Sequence, residues 1–506
     1  MLRFLRSTSH VALMLLSASV AGCTTTSTDA VPEMQLPDNF STGSVKPIAG
    51  NPNVETWWRQ LKDPVLDSII ARGMVDNITI EQARERLDIA RIRGVLSGSA
   101  YYPQVQASAT AMRMSDDNII QRTTGTALGG NGSVTWLIDI FGEGRATRKE
   151  AAANFAAAAA DVEFVRLAYL TDLMTTYIEY RYNIEAIAIS KQNLSSFSKT
   201  LSLTKEMRAA GTANNLDVAQ AQGLVDDARA QIPPLETDKQ QAVNHIATLM
   251  GISSREAATM LKGKGSQPKF KKLPDAGVPA DLLRNRPDVR REERLFAAAA
   301  ARIGIATARL YPSLSLNGTV DITRLITAGL SPTTIPWAFG PSIVAPIFDG
   351  GRRRAEVDVA KAETRVQYLR WKDTVLRGVE EVENALVAIY HGREETAALM
   401  RKVSSYSTAL SLARESYSGG TGLILDVLQA DRSLGVARMD LADSLRRNTL
   451  NGVRLYIAIG SGAAVEVPET QTASLGPAPF PEPDTTVKTE PDPRPMRKTV
   501  HQRPAR

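Results

Sequence analysis

Acid–base, nucleophilic and metal chemistry rest on convergent histidines, cysteines and carboxylates, and in this chain such residues are scattered. The four histidines are His10, His245, His391 and His501, and there is a single cysteine, Cys23. No CxxC pair, phosphate loop or GxSxG motif occurs. Gly350-Gly351 and Gly419-Gly420 lack the Lys-Ser/Thr that would complete a phosphate loop, so they read as chain reversals. The basic run of Lys262, Lys264, Lys269, Lys271 and Lys272 has no interleaved aromatic beyond Phe270, which favours a solvated connector over a nucleic-acid surface. The chain is therefore expected to have no catalytic residues, no metal, no cofactor and no nucleic-acid partner. Two features stand out. One is Cys23; the other is a pair of acidic residues, Asp217 and Asp426, that recur at equivalent places just after two chain reversals.

Cys23 ends an N-terminal address. Arg3 and Arg6 precede an apolar run from Val11 to Leu16, and small residues then lead to Val20-Ala21-Gly22-Cys23. The apolar run is too short to span a bilayer as a helix. The pattern resembles a bacterial lipobox. That resemblance implies cleavage before Cys23, acylation of its sulfur and new amino group, and, with Thr24 rather than an aspartate following, sorting to the outer membrane. With Arg3 and Arg6 removed, the formal charge of +6 falls to +4, too small an excess to call for a polyanionic partner.

The acidic residues sit at the ends of long helical runs. From Arg354 to Tyr417 there is no proline, and apolar residues recur at spacings of three, four and seven, near the 3.5-residue period of coiled-coil packing. Such a run makes a rod on the order of 100 Å long. An equal run follows Phe141 and ends at Gly211. Phe141 and Phe348 lie 207 residues apart, while Pro103 and Pro312, Gly211 and Gly420, and Asp217 and Asp426 each lie 209 apart. The chain is thus two copies of one unit: helix, strand pair, long helix, return helix. Pro233-Pro234 is expected to break the first return helix near Ile232, whereas Leu425 to Ile459 contains no proline and is expected to run through. Trp57-Trp58 is expected to open a packed element.

The strand pairs carry a two-residue period. Val105, Ala107, Ala109 and Ala111 alternate with polar residues, Val134, Trp136 and Ile138 share a side, and Leu314, Leu316, Gly318, Val320 and Ile322 oppose Ser315, Asn317, Thr319, Asp321 and Thr323. About ten alternating residues suffice for a tilted strand to cross a bilayer, although a soluble hairpin would show the same alternation. The mature chain has no apolar run of ~20 residues, so a membrane crossing would require a closed barrel. Four strands cannot close one. The strands must be pooled in an oligomer or kept out of the membrane.

WWRQLKDPVLDSI, NRPDVR (Asn285 to Arg290), ARLYPSLSL, GPSIVAPIFDGGRRRAEV, GGTGLILDVLQADRSL and LYIAIGSG occur in an order that resembles the TolC-like outer-membrane efflux channels. Together with the lipobox they point to the NodT-type lipoproteins that serve RND pumps. The resemblance implies a mainly α fold with membrane β structure. A homotrimer would form one twelve-stranded β-barrel, continued across the periplasm by an α-barrel of long helices. It also implies a passive exit duct for drugs or other small solutes, with outer-membrane lipid, a periplasmic adaptor and an inner-membrane RND pump as partners. A type I secretion duct shares this fold, and a poreless lipid-anchored scaffold is a third reading.

The expected layout is a signal peptide at 1–22, a lipidated tether at 23–54, a first repeat at 55–262 with strands about 104–115 and 132–140, and a connector at 263–283. A second repeat follows at 284–462, with strands about 313–325 and 337–345, and then a Pro-rich tail at 463–506. For the site, the resemblance implies a periplasmic gate in which Asp426 forms a ring of three carboxylates. The family's second acidic ring position is Gln429 here. Tyr417 and Asp217 match a tyrosine and aspartate that help hold the tip shut, and Gly422 stands where an arginine completes that lock. Asp217 and Asp426 can equally be first-turn or capping residues of the return helices.

Overall fold

The computed structural model describes residues 56–118, 121–263, 266–270, 285–326 and 332–462. Cys23, the signal peptide, the tether, most of the connector and the tail lie outside the described residues.

A 3-10 helix, Trp57–Leu61, leads to α1 (Pro64–Asp76) and α2 (Ile78–Ser99). Strands β1 (Gln104–Asn118) and β2 (Gln121–Ile138) follow, then α3 (Glu143–Ala209), 67 residues long. The chain returns through α4 (Asn215–Ala230) and α5 (Ile232–Leu249), with a short α6 (Ser254–Met260) behind them. The second copy comprises α7 (Pro287–Ala308), β3 (Ser313–Ile326), the two-residue β4 (Thr333–Thr334), β5 (Trp337–Val344), the 67-residue α8 (Arg352–Ser418) and α9 (Ile424–Ala458).

Each 67-residue helix spans about 100 Å. The return helix breaks at Gln231, two residues before Pro233-Pro234, because a proline ring lacks the amide proton and clashes with the preceding turn. Its counterpart α9 runs 35 residues without interruption. Near the strands the helices pack in the order α2, α3, α7, α8; away from them, α4 and α5 pack on α3, which contacts α9, which contacts α8. The two long helices are thus shared by both levels, and each level is a ribbon of about four helices.

The core of the middle region gathers Trp57, Leu66, Ile69, Leu173, Met174, Tyr177, Ile246 and Tyr456. Trp57 stacks on Tyr456 at 4.4 Å between ring centres and donates its indole N–H to the Ser461 carbonyl at 3.1 Å. Trp57 therefore fastens the start of the described part of the chain to the end of α9. Arg286 of the NRPDVR motif does similar work. It donates to the Ala458 carbonyl at 2.9 Å, at the C-terminal end of α9 where carbonyls lack helical partners, and pairs with Asp288 and with Glu381 of α8. Arg290 and Arg291 reach Glu163 and Asp161 on α3.

The strands form one antiparallel sheet, β1-β2-β3, with β5 and the short β4 on β3. The first hairpin departs from the sequence expectation. The loop expected between Asp116 and Gly132 is largely strand: pairing runs without a break from Gln104↔Thr135 to Asn118↔Gln121, leaving a two-residue connection. The polar Thr/Gly composition of that segment had masked its extended structure. A strand standing free of a soluble core needs only its ladder bonds and one compatible face. The second hairpin keeps its strands at 313–326 and 337–344, close to the expected 313–325 and 337–345.

Candidate functional site

Register decides what the sheet can do. Val105 lies opposite Val134, Val134 opposite Gly318 and Gly318 opposite Phe339. Side chains alternate along each strand and align across the ladder. One face therefore carries Val105, Ala107, Ala109 and Ala111 of β1, Leu128, Val134, Trp136 and Ile138 of β2, Leu314, Leu316, Val320 and Ile322 of β3, and Trp337, Phe339 and Ile343 of β5. The other carries Gln106, Ser108 and Thr110, Asn131 and Ser133, and Ser315, Asn317, Thr319 and Asp321. On the polar face Asn131 donates to Asp321 at 2.6 Å and Asn317 to Ser315 at 2.9 Å. The apolar side is not covered by protein: Val105, Trp337, Phe339 and Ile343 are 76, 76, 65 and 70 % exposed. Among the described residues, the ladder edges β1 and β5 each have a strand neighbour on one side only. No helix among the described residues is long and apolar enough to cross a membrane. A sheet with one polar face, one bare apolar face and two open edges fits one segment of a barrel wall.

At the opposite end, the two hairpin tips share one construction. After α3, Gly211 takes φ 80° and Thr212 donates its amide to Met207; after α8, Gly420 takes φ 76° and Thr421 donates to Ser416. The tips pack around Phe197, Leu201, Val225, Leu410, Tyr417, Ile424, Val427 and Leu434, a core shared by both repeats.

The residues singled out in the sequence are divided by this arrangement. Asp217 is engaged locally: its amide donates to the Asn214 side chain at 3.0 Å and its carboxylate accepts the Asn214 amide at 2.9 Å, a complete capping box. Tyr417 is buried, with its hydroxyl unpartnered among the described residues; burial, and secondarily the charge of Asp217, raise its phenol above the usual range. Tyr417 and Asp217 are thus near enough to feel each other without a hydrogen bond between them. Asp426 occupies the first turn of α9, but the N-cap is Leu423, which offers no side-chain cap. Asp426 and Gln429 are exposed, as is Leu425, on the face of α9 turned away from the tip core. Gly422 is sterically fixed. A β-carbon there would lie 2.9 Å from the Ser416 β-carbon and 3.1 Å from the Ser416 carbonyl carbon and the Tyr417 nitrogen, so this turn cannot hold an arginine without opening.

Sequence reasoning missed the strongest polar contact near the tip. Asp431, 2 % exposed, accepts from Arg414 at 3.0 Å, Ser196 at 2.8 Å and Thr200 at 3.0 Å. It ties α9 to both α8 and α3, and so joins the two hairpins. The signal was present: Ile424, Val427, Asp431 and Leu434 follow a three-four-three spacing, placing one carboxylate in an otherwise apolar seam.

The chain matches the outer membrane efflux protein family over residues 74–252 and 278–461. It is 38 % identical over 467 residues to nodulation protein T of Rhizobium leguminosarum bv. trifolii, covering 91 % of this chain and 98 % of that protein. It is 27 % identical to outer membrane protein OprJ of Pseudomonas aeruginosa, over 89 % of this chain and 95 % of that one. The solved outer-membrane channel OprN superposes with a TM-score of 0.75 at 27 % identity, over 86 % of this chain and 99 % of OprN. Sequence match, fold and the bare-faced sheet agree, and this chain belongs to the outer membrane efflux protein family.

Proposed function

We propose that this protein is the exit duct of a tripartite RND-type efflux system. It would act as a lipid-anchored homotrimer that conducts small solutes passively from a periplasmic adaptor and an inner-membrane pump to the cell exterior. The observation that carries the reading is the sheet, four strands wide with β4 and β5 end to end along β3, whose apolar face and two edges, unpaired among the described residues, can be satisfied in a bilayer only by closing with further copies. Three copies bring twelve strands.

The helices support the same closure. In the level nearest the sheet, the ribbon ends at α2 and α8. Ile89, Ile92, Val95 and Leu96 on α2, and Val359, Val366, Leu369 and Leu376 on α8, are all 47 to 69 % exposed. The α8 set repeats at intervals of seven, three and seven, a seam that fits knobs-into-holes packing against a neighbouring protomer. At the other end Asp426 is free of capping duty and outward from the tip core. In a trimer three such carboxylates would face one another. Like charges that converge are relieved by a cation among them, so the closed tip would favour cations. Nothing in this role asks for a catalytic residue or cofactor, and Cys23 would carry only the lipid.

Reconstitution of the purified full chain in planar bilayers, with native mass spectrometry of the same preparation, tests the proposal. Trimers that form discrete conducting channels are expected; a monomer, or a trimer that never conducts, would refute it.

A further inference from the structure

The apolar face of the sheet ends in arginine. Arg113 of β1 stands opposite Thr126, and Arg324 of β3 stands opposite Leu128. By alternation both belong to the bare rows, Arg113 following Ala111 and Arg324 following Ile322. They lie at the end of the sheet near the hairpin connections, away from the helices. Beyond Arg324 the row continues to Ile326, the last residue of β3. Both arginines are exposed. Within the strands, no carboxylate among the described side chains shares their face; Asp321 lies on the opposite one, bonded to Asn131. Two strand spacings and a two-residue offset put their α-carbons roughly 12 Å apart.

An outward arginine is costly at the bilayer centre but nearly free near the interface, so these two mark the level at which hydrocarbon gives way to headgroups. Guanidinium forks match phosphate oxygens bidentately, and they are weakly hydrated for cations. Two such forks, neither paired across the ladder with a carboxylate, at the top of a lipid-facing wall, suit a headgroup bearing more than one phosphate.

We infer that Arg113 and Arg324 together bind the phosphates of a phosphorylated glycolipid in the outer leaflet, one site on each protomer's barrel segment. The inference rests on the proposed barrel. It adds a specific lipid partner at the extracellular rim, distinct from any solute in the lumen. The bound lipid would cross the face of β2, bracing β1 against β3.

The test uses the full-length trimer and an R113Q/R324Q variant, both reconstituted in nanodiscs containing either bis-phosphorylated lipid A or its dephosphorylated form. Retained glycolipid is counted by native mass spectrometry, and conductance is measured in parallel. Wild type is expected to retain the phosphorylated form roughly tenfold or more over the variant, the size of two surface charges at an anionic leaflet, and to show no such preference over the variant for the dephosphorylated form. Normal conductance in both proteins with equal retention of phosphorylated lipid would overturn this inference and leave the channel reading intact. Equal loss of both lipid forms in the variant would likewise overturn it, since phosphate would then not be what is recognised. Absence of conductance in both would overturn the barrel reading and this inference with it.

Discussion

Replacing Arg414 with leucine is expected to destabilise the protein more than replacing Asp431, although the two residues share one ion pair. The asymmetry follows from where each charge lies. Asp431 is 2 % exposed, whereas the Arg414 side chain is 37 % exposed. Removing Arg414 strands a buried carboxylate. Breaking a buried pair in this way costs about 3 to 5 kcal/mol. The hydroxyls of Ser196 and Thr200 continue to donate to Asp431 at 2.8 and 3.0 Å, and each such bond returns about a kilocalorie, so roughly 1 to 3 kcal/mol remains. Removing Asp431 instead leaves an arginine that can turn to water. The Thr200 hydroxyl keeps the Ser196 carbonyl at 3.2 Å as an acceptor, and the net cost should be about 1 kcal/mol. The double leucine variant should lie close to wild type, because an apolar pair in an apolar seam leaves nothing unpaired. A double-mutant cycle on thermal or denaturant unfolding of the purified trimer reads these differences directly. Since the cluster joins α3, α8 and α9, Arg414→Leu should also raise the basal open probability in planar bilayers. Equal costs for the two single variants, or a larger cost for Asp431→Leu, would show that the carboxylate is not the buried charge that matters.

The remaining predictions concern the wall, the gate and the anchor. Leu316→Arg, on the bare row between Trp136 and Pro341, should cost about 2 to 4 kcal/mol per protomer and lower the yield of inserted trimer, while Asn317→Arg on the polar row should be mild; equal yields from the two would contradict the assignment of faces. Asp426→Asn should weaken cation selectivity and divalent block in single-channel records, and unchanged selectivity would leave Asp426 as a first-turn residue of α9 only. Gly422→Ala should loosen the α8–α9 turn at a cost of about 1 to 3 kcal/mol, seen as a lower unfolding temperature; an unaltered temperature would mean that the Ser416 contact relaxes freely. Cys23→Ser should remove the lipid mass and impair outer-membrane sorting while trimers still form in detergent, and wild-type protein running at the unlipidated, processed mass would refute the anchor.

Much of the architecture is written in one dimension because its determinants are local or periodic. The duplication shows as a constant offset of about 209 residues. Two prolines interrupt one return helix and spare the other because the missing amide and the ring clash act within a single turn. Alternation assigned each strand two faces, since side chains on a strand point in opposite directions whatever it pairs with. Tertiary structure alone decided how those faces add up. The registers 134↔318 and 318↔339 place four separate apolar rows on one side, which no strand's own sequence records. The same holds at the tip. Asp217 and Asp426 are equivalent by position in the repeat, yet Asn214 stands three residues before the first and Leu423 before the second, and only the first acid is drawn into a capping box. The turn around Gly422 excludes a side chain because of how Ser416 folds back over it. The Arg414–Asp431 contact is likewise a product of packing: a polar residue in an apolar seam announces a buried partner, but the identity of that partner depends on which helices meet, and helix packing is set by the whole surface of each rod rather than by any short stretch of sequence.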